Sequence, residues 1–290
     1  MTDLAETRTR LTVGFIGLGD QGAPIAQAIA DSPYPLVVWA RRQASLDALS
    51  GRAHTAATTV AELAAASDVV ALCLPQDSDN LDIAVEGGLL ENMRPGSILV
   101  NHGTGLPPQT RHLAELAAPY GITVLDAPVS GGRTVALARE LTTIVGGPDD
   151  AVERVRDLFS TFSKRIIHVG PVGTGQFGKL FNNALMMMNQ QNIAEIVETA
   201  TQLELPLQPL LEVLRSGSAT SFALQAFGPS VTTANAAHLR ELELIDMDLF
   251  REAVDALGEP AKRVTDRAVS GAERLPELTA IIEAHTTAAT

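Results

Sequence analysis

The hydrophobic pattern of the first 170 residues alternates between short apolar runs and longer amphipathic stretches. An unbroken apolar run such as Asp68–Leu74 is typical of a strand that is buried on both faces. The predicted strands are Thr12–Gly17, Leu36–Ala40, Asp68–Leu74, Ser97–Val100, Ile122–Leu125, Leu141–Val145 and Ile166–Val169. The predicted helices between them are Ala23–Asp31, Ala44–Leu49, Val60–Ala66, Gln109–Ala118 and Asp150–Phe162. This alternation predicts a doubly wound α/β fold with a mostly parallel sheet.

After Gly175 the pattern becomes helical throughout, and no further run has the character of a strand. Lys179–Leu203 is the longest helical stretch, and Pro206 ends it. The later predicted helices are Leu207–Leu214, Asp248–Leu257, Ala261–Ser270 and Pro276–His285. We therefore expect two domains, a domain with a parallel sheet over residues 1–170 and a helical domain over residues 171–290.

Composition narrows the possible functions. The 290-residue chain carries a formal net charge of −13, which argues against nucleic acid as a partner. Its single cysteine, Cys73, excludes a disulfide framework and a cysteine zinc cluster, and we expect no metal site. The first ten residues are polar, and no apolar run reaches the 18 residues of a membrane span. We expect a cytoplasmic enzyme without a membrane partner.

A glycine-rich turn, Gly17-Leu18-Gly19-Asp20-Gln21-Gly22, follows the first predicted strand and opens the first helix. In this context the spacing predicts a dinucleotide site, with Gly17 in the tight turn and Gly19 beside the pyrophosphate. Gly22 would let helix and strand pack closely, and the helix N-terminus would face the phosphates. The alternative is a glycine turn without a ligand.

Two arginines, Arg41 and Arg42, end the second predicted strand. Sites that prefer NAD usually carry an acidic residue here for the ribose hydroxyls, whereas a guanidinium suits the 2′-phosphate of NADP. We expect NADP(H) to be preferred over NAD(H). The alternative is a pair of solvated surface arginines.

The sequence Asp126-Ala127-Pro128-Val129-Ser130-Gly131-Gly132 follows another predicted strand. Successive backbone N–H groups at Ser130, Gly131 and Gly132 can form a nest for a small anion such as a carboxylate. The Ser130 hydroxyl would add a donor. An ordinary turn is the alternative interpretation.

Lys179 opens the long helical stretch, and Asn182 and Asn183 follow on the same helical face. A lysine beside a carboxamide can serve as a proton donor with a positioning group, although a lysine at a helix start is more often solvated. The preceding Gly173, Gly175 and Gly178 would allow the cofactor and the other domain to come close.

These three motifs, at residues 17–22, 126–132 and 173–183, occur in the order found in a known family. The chain resembles the β-hydroxyacid dehydrogenases, which include 3-hydroxyisobutyrate dehydrogenase and tartronate semialdehyde reductase, over residues 11–285. The resemblance implies a Rossmann domain, a long interdomain helix and a helical C-terminal domain of the 6-phosphogluconate dehydrogenase type. This domain often builds a dimer, and we expect a homodimer or a higher homo-oligomer.

The resemblance also implies residue roles. Lys179 would be the catalytic acid/base, and Asn183 would hydrogen-bond near the reacting oxygen. Ser130, Gly131 and Gly132 would hold the substrate carboxylate. The cofactor would be bordered by Leu74 and Pro75 at the end of the strand Asp68–Leu74 and by Thr104 near the nicotinamide. The reaction would move a hydride between NADP or NAD and a small 3-hydroxy acid or its semialdehyde.

Four positions depart from the family pattern. Arg133 follows the Ser-Gly-Gly turn, where it could meet a second anionic group of the substrate or face solvent. Arg139 stands where a glycine is common. Gly103 replaces the usual serine, and Ile245 replaces a late lysine near the cofactor. An imine reductase and a catalytically silent dinucleotide-binding module are the alternative functions; retention of Lys179 favours an alcohol or carbonyl substrate.

Overall fold

The computed structural model describes residues 10–287. The polar start expected over residues 1–10 therefore lies, apart from Arg10, outside the described residues. The described chain forms two compact units, of which the first ends at Lys179 and the second begins at Leu180. Within residues 10–287, no helix combines the length and the apolar character that crossing a membrane requires.

The first unit is built on a nine-stranded sheet. Its strands are β1 Val13–Ile16, β2 Leu36–Trp39, β3 Thr55–Ala56, β4 Val69–Leu72, β5 Ile98–Asn101, β6 Thr123–Asp126, β7 Val129–Ser130, β8 Leu141–Gly146 and β9 Ser163–Gly170. The order β3-β2-β1-β4-β5-β6 is parallel throughout, and β8 pairs antiparallel with β6 and β7 and parallel with β9. The predicted mostly parallel sheet is confirmed.

Helices join the strands of the first unit. They are α1 Gly22–Ala30, α2 Val60–Ala66, α3 Asp77–Leu81, α4 Leu89–Asn92, α5 Pro107–Ala117, α6 Gly132–Leu137 and α7 Asp149–Phe159. Successive residues of β4 alternate between two apolar layers, with Val69 and Ala71 in one and Val70 and Leu72 in the other. Because both layers are buried, the strand has no polar face, as its unbroken apolar run predicted.

The second unit is helical. The long helix α8, Thr174–Gln202, begins in the first unit and continues into the second. The other helices of the second unit are α9 Leu207–Ser216, α10 Phe222–Ala226, α11 Ala236–Val254 and α12 Glu259–Thr287. The described residues after Gly175 contain no strand, in agreement with the sequence pattern.

Several element boundaries differ from the sequence predictions. Residues Gln43–Leu49 form a 3₁₀ helix rather than an α-helix, and the two-residue strands β3 and β7 had no detectable pattern. The last two predicted helices are one helix, α12, with Pro276 inside it. A proline removes one helical hydrogen bond, but its neighbours Leu275 and Leu278 are buried in an apolar cluster that holds the helix in place.

Candidate active site

The glycine turn between β1 and α1 has the geometry that a dinucleotide fingerprint requires. Gly17 has a φ of 104°, and a Cβ there would lie 2.2 Å from the carbonyl oxygen of Cys73. A Cβ at Gly22 would lie 1.8 Å from the carbonyl oxygen of Gly17, so the helix start packs directly on the turn. A Cβ at Gly19 would meet no protein atom within 4 Å, which leaves that side of the turn open to a ligand.

The start of α1 is suited to a negatively charged group. Its N-cap residue, Gln21, makes no side-chain capping hydrogen bond, and the first turn contains no acidic residue. The helix dipole favours an anion at such a position. Leu18 is half-buried, whereas Gly19 and Asp20 are exposed. The residues of the turn therefore fit the pyrophosphate of a dinucleotide.

The other cofactor-binding candidates follow strands of the same sheet. Arg41 and Arg42 follow β2, Leu74 and Pro75 follow β4, and Thr104 follows β5. The carboxyl ends of adjacent parallel strands form one edge, which is where ligands bind in open α/β sheets.

The arginines after β2 are at the surface. The Arg41 side chain is 81% exposed, and its Nη2 lies 3.9 Å from Oδ1 of Asp79 in α3. Arg42 is also exposed. Both guanidinium groups are thus accessible to a phosphate, although Asp79 competes for Arg41.

The turn after β7 contains two successive glycines with positive φ. Gly131 and Gly132 have φ values of 136° and 72°, which only glycine adopts readily. A Cβ at Gly132 would meet no protein atom within 4 Å, so a ligand can approach the main chain there. Ser130 is half-buried and pairs with Thr142 across β7 and β8.

The helix that carries Lys179 is anchored at its start by Asp126. The Asp126 carboxylate is fully buried at the end of β6, and it accepts hydrogen bonds of 2.8 Å from the backbone N–H groups of Gly173 and Gln176. Burial raises the pKa of this carboxyl, and the backbone donors oppose that rise. Asp126 thereby caps α8 and connects it to the strand that leads to Ser130.

The glycines before Lys179 let the start of α8 pack closely at this anchor. A Cβ at Gly175 would lie 2.7 Å from the Asp126 carbonyl oxygen, and one at Gly178 would lie 2.8 Å from Cγ2 of Ile144 in β8. A Cβ at Gly173 would lie 2.9 Å from Nη1 of Arg111, and Gly173 has a φ of 93°. The helix start therefore packs against the sheet of its own unit, and Lys179 directly follows the packed Gly178.

Gln176 connects α8 to the loop that contains Thr104. Its fully buried carboxamide donates a hydrogen bond of 2.8 Å to the carbonyl oxygen of Gly103 and accepts one of 3.0 Å from the N–H of Gly105. A Cβ at Gly103 would lie 2.6 Å from the carbonyl oxygen of Leu74. The glycine that replaces the family's serine is therefore required by the close packing of two strand ends.

His102 lies in the same loop and is buried. Its Nδ1 is 2.8 Å from the carbonyl oxygen of Ala127, and its ring packs edge-on against Phe159 and Phe162. Burial lowers the pKa of His102 to about 4, so the ring is neutral at pH 7. A neutral, buried imidazole that joins two strand ends is structural rather than a proton carrier.

Asn183 is buried one helical turn after Lys179 and belongs to the second unit. Its Nδ2 donates a hydrogen bond of 2.6 Å to Oδ2 of Asp246 in α11, and its Oδ1 accepts one of 3.0 Å from Nδ2 of Asn182. Asp246 thus fixes the orientation of the Asn183 carboxamide. Ile245, in place of the family's late lysine, is 53% exposed.

A second polar pair lies between the same helices. Gln190 donates 2.8 Å to Oε1 of Glu243, and both side chains are buried. The other oxygens, Gln190 Oε1 and Glu243 Oε2, have no hydrogen-bond partner. Burial raises the pKa of Glu243 to about 7.

Arg133 contacts the glycine turn. Its Nη1 donates 3.2 Å to the carbonyl oxygen of Asp20 and lies 3.9 Å from the Asp20 carboxylate. The side chain therefore reaches from α6 towards the start of α1. Arg139, beyond the end of α6, has a φ of 59°, consistent with the glycine that is common there, and pairs with Asp31 at 2.6 Å.

Sequence reasoning did not assign roles to Asp126, Gln176 and Asp246. Asp126 could have been found as the acidic residue that ends a buried strand, because such a carboxylate needs donors. The partners of Gln176 and Asp246 are 71 and 63 residues away in sequence, and no local pattern indicates them.

Two family models match the chain. The model described as the NAD binding domain of 6-phosphogluconate dehydrogenase matches residues 12–170. The model described as NAD-binding of NADP-dependent 3-hydroxyisobutyrate dehydrogenase matches residues 173–267. Together with the open glycine turn at the carboxyl edge of a parallel sheet, they define a nicotinamide-dependent oxidoreductase that acts on CH–OH groups.

Known proteins place it more closely. An NAD-dependent L-serine dehydrogenase of Pseudomonas aeruginosa is 34% identical over 218 residues, which cover 75% of this chain and 73% of that protein. A 2-(hydroxymethyl)glutarate dehydrogenase of Eubacterium barkeri is 30% identical over 218 residues, covering 74% and 72%. The structure of Mycobacterium tuberculosis 3-hydroxyisobutyrate dehydrogenase with L-serine is similar at a TM-score of 0.78, with 26% identity and coverage of 95% and 99%. The chain belongs to the β-hydroxyacid dehydrogenase family.

Proposed function

We propose that this chain transfers a hydride between NADP(H) and a small 3-hydroxy acid or its semialdehyde, with Lys179 as the general acid/base. The observation that carries the proposal is the Asp126 anchor. One buried carboxylate caps the helix of Lys179 and ends the strand that leads, four residues later, to Ser130. The proton donor and the anion nest thus have a common rigid support.

The position of Lys179 relative to the sheet supports the same assignment. Gly178 packs on Ile144 of β8, and the neighbouring Thr142 and Thr143 pair with Ser130 and Val129. The helix start therefore lies over the strand that borders the anion nest. A substrate carboxylate held at the nest would bring a carbon two bonds away towards this part of the helix.

The residues of the chain have distinct tasks in this reaction. The backbone N–H groups at Ser130–Gly132 bind the substrate carboxylate. In reduction, the Lys179 ammonium donates a hydrogen bond to the substrate carbonyl oxygen and then its proton; in oxidation, the neutral amine accepts the hydroxyl proton. Asn183, oriented by Asp246, donates to the same oxygen. The bound nicotinamide supplies or accepts the hydride.

The glycine turn, Leu74, Pro75 and Thr104 would hold the cofactor along the carboxyl edge of the sheet. The exposed Arg41 and Arg42 support a preference for NADP(H), because a guanidinium binds a 2′-phosphate well. Related proteins differ in this respect: one family description names NADP, whereas the P. aeruginosa relative is named for NAD.

We further expect a homodimer. Phe181 and Leu185 on α8 are 52% and 59% exposed, and a second chain would cover such apolar side chains. Light scattering of the purified protein should give the mass of two chains; the mass of one chain would contradict this expectation.

The substrate class is tested with a panel. L-serine, 3-hydroxyisobutyrate and 2-(hydroxymethyl)glutarate are assayed with NADP⁺ and NAD⁺, beside simple alcohols without a carboxylate and cyclic imines with NADPH. We expect turnover only of compounds that carry a carboxylate and a β-hydroxyl. Turnover of cyclic imines alone, or cofactor binding without turnover of any hydroxy acid, would contradict the proposal.

A further inference from the structure

Arg133 follows Ser130–Gly132, and the sequence leaves open whether it meets the substrate or solvent. In the structure its guanidinium is directed to the glycine turn. The contact is a 3.2 Å hydrogen bond from Nη1 to the Asp20 carbonyl oxygen. Asp20 lies between Gly19, whose side of the turn is open, and Gln21, the N-cap of α1. The cation is thus placed beside the turn that fits a pyrophosphate.

We propose that Arg133 contacts the pyrophosphate of the bound dinucleotide, so that α6 supplies the cofactor site with a cation. A guanidinium has five N–H donors, and the Asp20 carbonyl oxygen uses only one of them. The Arg133 side chain is 55% exposed, so donors remain for a phosphate oxygen. This inference rests on the proposed binding of a dinucleotide at the glycine turn.

Because the protein is strongly negative, a cation beside the glycine turn matters for binding a dinucleotide. The formal net charge is −13, so the overall field repels a dinucleotide. Asp20 itself adds a carboxylate beside the turn, 73% exposed. A cation that is 3.9 Å from that carboxylate offsets its charge where phosphate oxygens would lie. The hydrogen bond from Arg133 to Asp20 also connects α6, which follows Ser130–Gly132, to the glycine turn.

The chain contains a matched control. Arg139, just beyond the C-terminus of α6, makes a similar ion pair to α1 at the opposite end of that helix, between its Nη2 and Asp31 Oδ2 at 2.6 Å. Its side chain is 47% exposed, close to that of Arg133. Arg139→Ala therefore removes a tie between α6 and α1 without removing a charge beside the glycine turn.

The experiment measures dissociation constants of NADPH and NADH by fluorescence titration for the wild type, Arg133→Ala, Arg133→Lys and Arg139→Ala. Competition with ADP-ribose and with AMP separates the pyrophosphate from a single phosphate. In Arg133→Ala we expect NADPH, NADH and ADP-ribose to bind about tenfold more weakly, with a smaller change for AMP. Arg133→Lys should recover part of the loss, and Arg139→Ala should bind as the wild type does.

Three results would overturn the inference. Dissociation constants in Arg133→Ala within twofold of the wild type would show that the arginine only joins α6 to the turn. A raised KM for the hydroxy acid with unchanged cofactor binding would place Arg133 at the substrate. Equal weakening in Arg133→Ala and Arg139→Ala would indicate a loss of helix packing. Failure of the wild type to bind either cofactor would instead refute the proposed function, and this inference with it.

Discussion

Asp126 Oδ2 accepts a 2.8 Å hydrogen bond from the backbone N–H of Gln176, three residues before Lys179. The other carboxylate oxygen accepts from Gly173, so both oxygens hold the first turn of one helix. Because the carboxylate is buried, these bonds are not exchanged for bonds to water. The backbone at the start of the helix that carries Lys179 is therefore held by a residue 53 positions before that lysine.

Replacement of Asp126 by asparagine tests this anchor. Asparagine has one acceptor oxygen where aspartate has two, so either Gly173 or Gln176 loses its partner. We expect Asp126→Asn to lower kcat about tenfold while the dissociation constant of NADPH changes less than threefold. The exposed Asp150 of α7 provides the control, since Asp150→Asn should leave both values unchanged. An unchanged kcat in a folded Asp126→Asn protein would show that the cap does not position Lys179.

Removal of the Gln176 carboxamide should loosen the loop that contains Thr104. Gln176→Leu leaves the Gly103 carbonyl and the Gly105 N–H buried without a partner, which costs about 1–3 kcal/mol for each unpaired group. We expect a lower urea midpoint and a higher dissociation constant for NADPH. Gln202→Leu, an exposed glutamine on the same helix, should change neither. Stability equal to the wild type would remove Gln176 from this role.

The preference for NADP(H) is tested by Arg41→Ala/Arg42→Ala. Loss of charge-assisted bonds to a 2′-phosphate should lower kcat/KM for NADPH about 10- to 100-fold and that for NADH less than threefold. Arg94→Ala is the control, because Arg94 pairs with Asp68 before the start of β4, at the opposite edge of the sheet. A wild-type protein that uses NADH at least as well as NADPH would refute the role of these arginines.

Glu243 should make stability depend on pH. Its folded pKa is about 7 and its ordinary value is 4.5, so the folded state retains the proton longer than the unfolded state. The contribution of Glu243 to the free energy of unfolding is then fully present below about pH 4.5. It is lost as the pH rises to about 7, by roughly 1–3 kcal/mol.

Glu243→Gln should remove this loss. The new amide cannot ionise, and it can donate to Gln190 Oε1, which has no partner. Urea unfolding followed by circular dichroism should show the variant more stable than the wild type at pH 8 and similar to it at pH 4.5. The exposed Glu241→Gln on the same helix serves as control. An equal difference at both pH values would contradict the assigned titration.

The alternating α/β pattern and the helical second part could be predicted from sequence because the buried strands are continuously apolar and Gly17–Gly22 follows one of them. The strands β3 and β7 could not, since two residues carry no period. The continuity of α12 through Pro276 is decided by the burial of Leu275 and Leu278, which is a tertiary effect.

The candidate site residues can be named from the sequence, whereas the residues that support them cannot. Lys179, Asn183 and Ser130–Gly132 belong to local motifs with recognisable spacing. The destination of the Arg133 side chain depends on how α6 packs beside α1, and the partner of Asn183 comes from another helix. Such contacts between distant segments leave no trace in the local pattern of residues.

The proposed mechanism depends on proton transfer by Lys179. It is tested most directly by single-turnover and steady-state kinetics of Lys179→Ala with the best substrate of the panel, beside Lys164→Ala, whose lysine pairs with Glu140 at the surface. We expect Lys179→Ala to bind NADPH with nearly unchanged affinity and to react about 10²–10⁴ times more slowly, whereas Lys164→Ala should react as the wild type does. A rate for Lys179→Ala within a few-fold of the wild type would contradict the proposed mechanism.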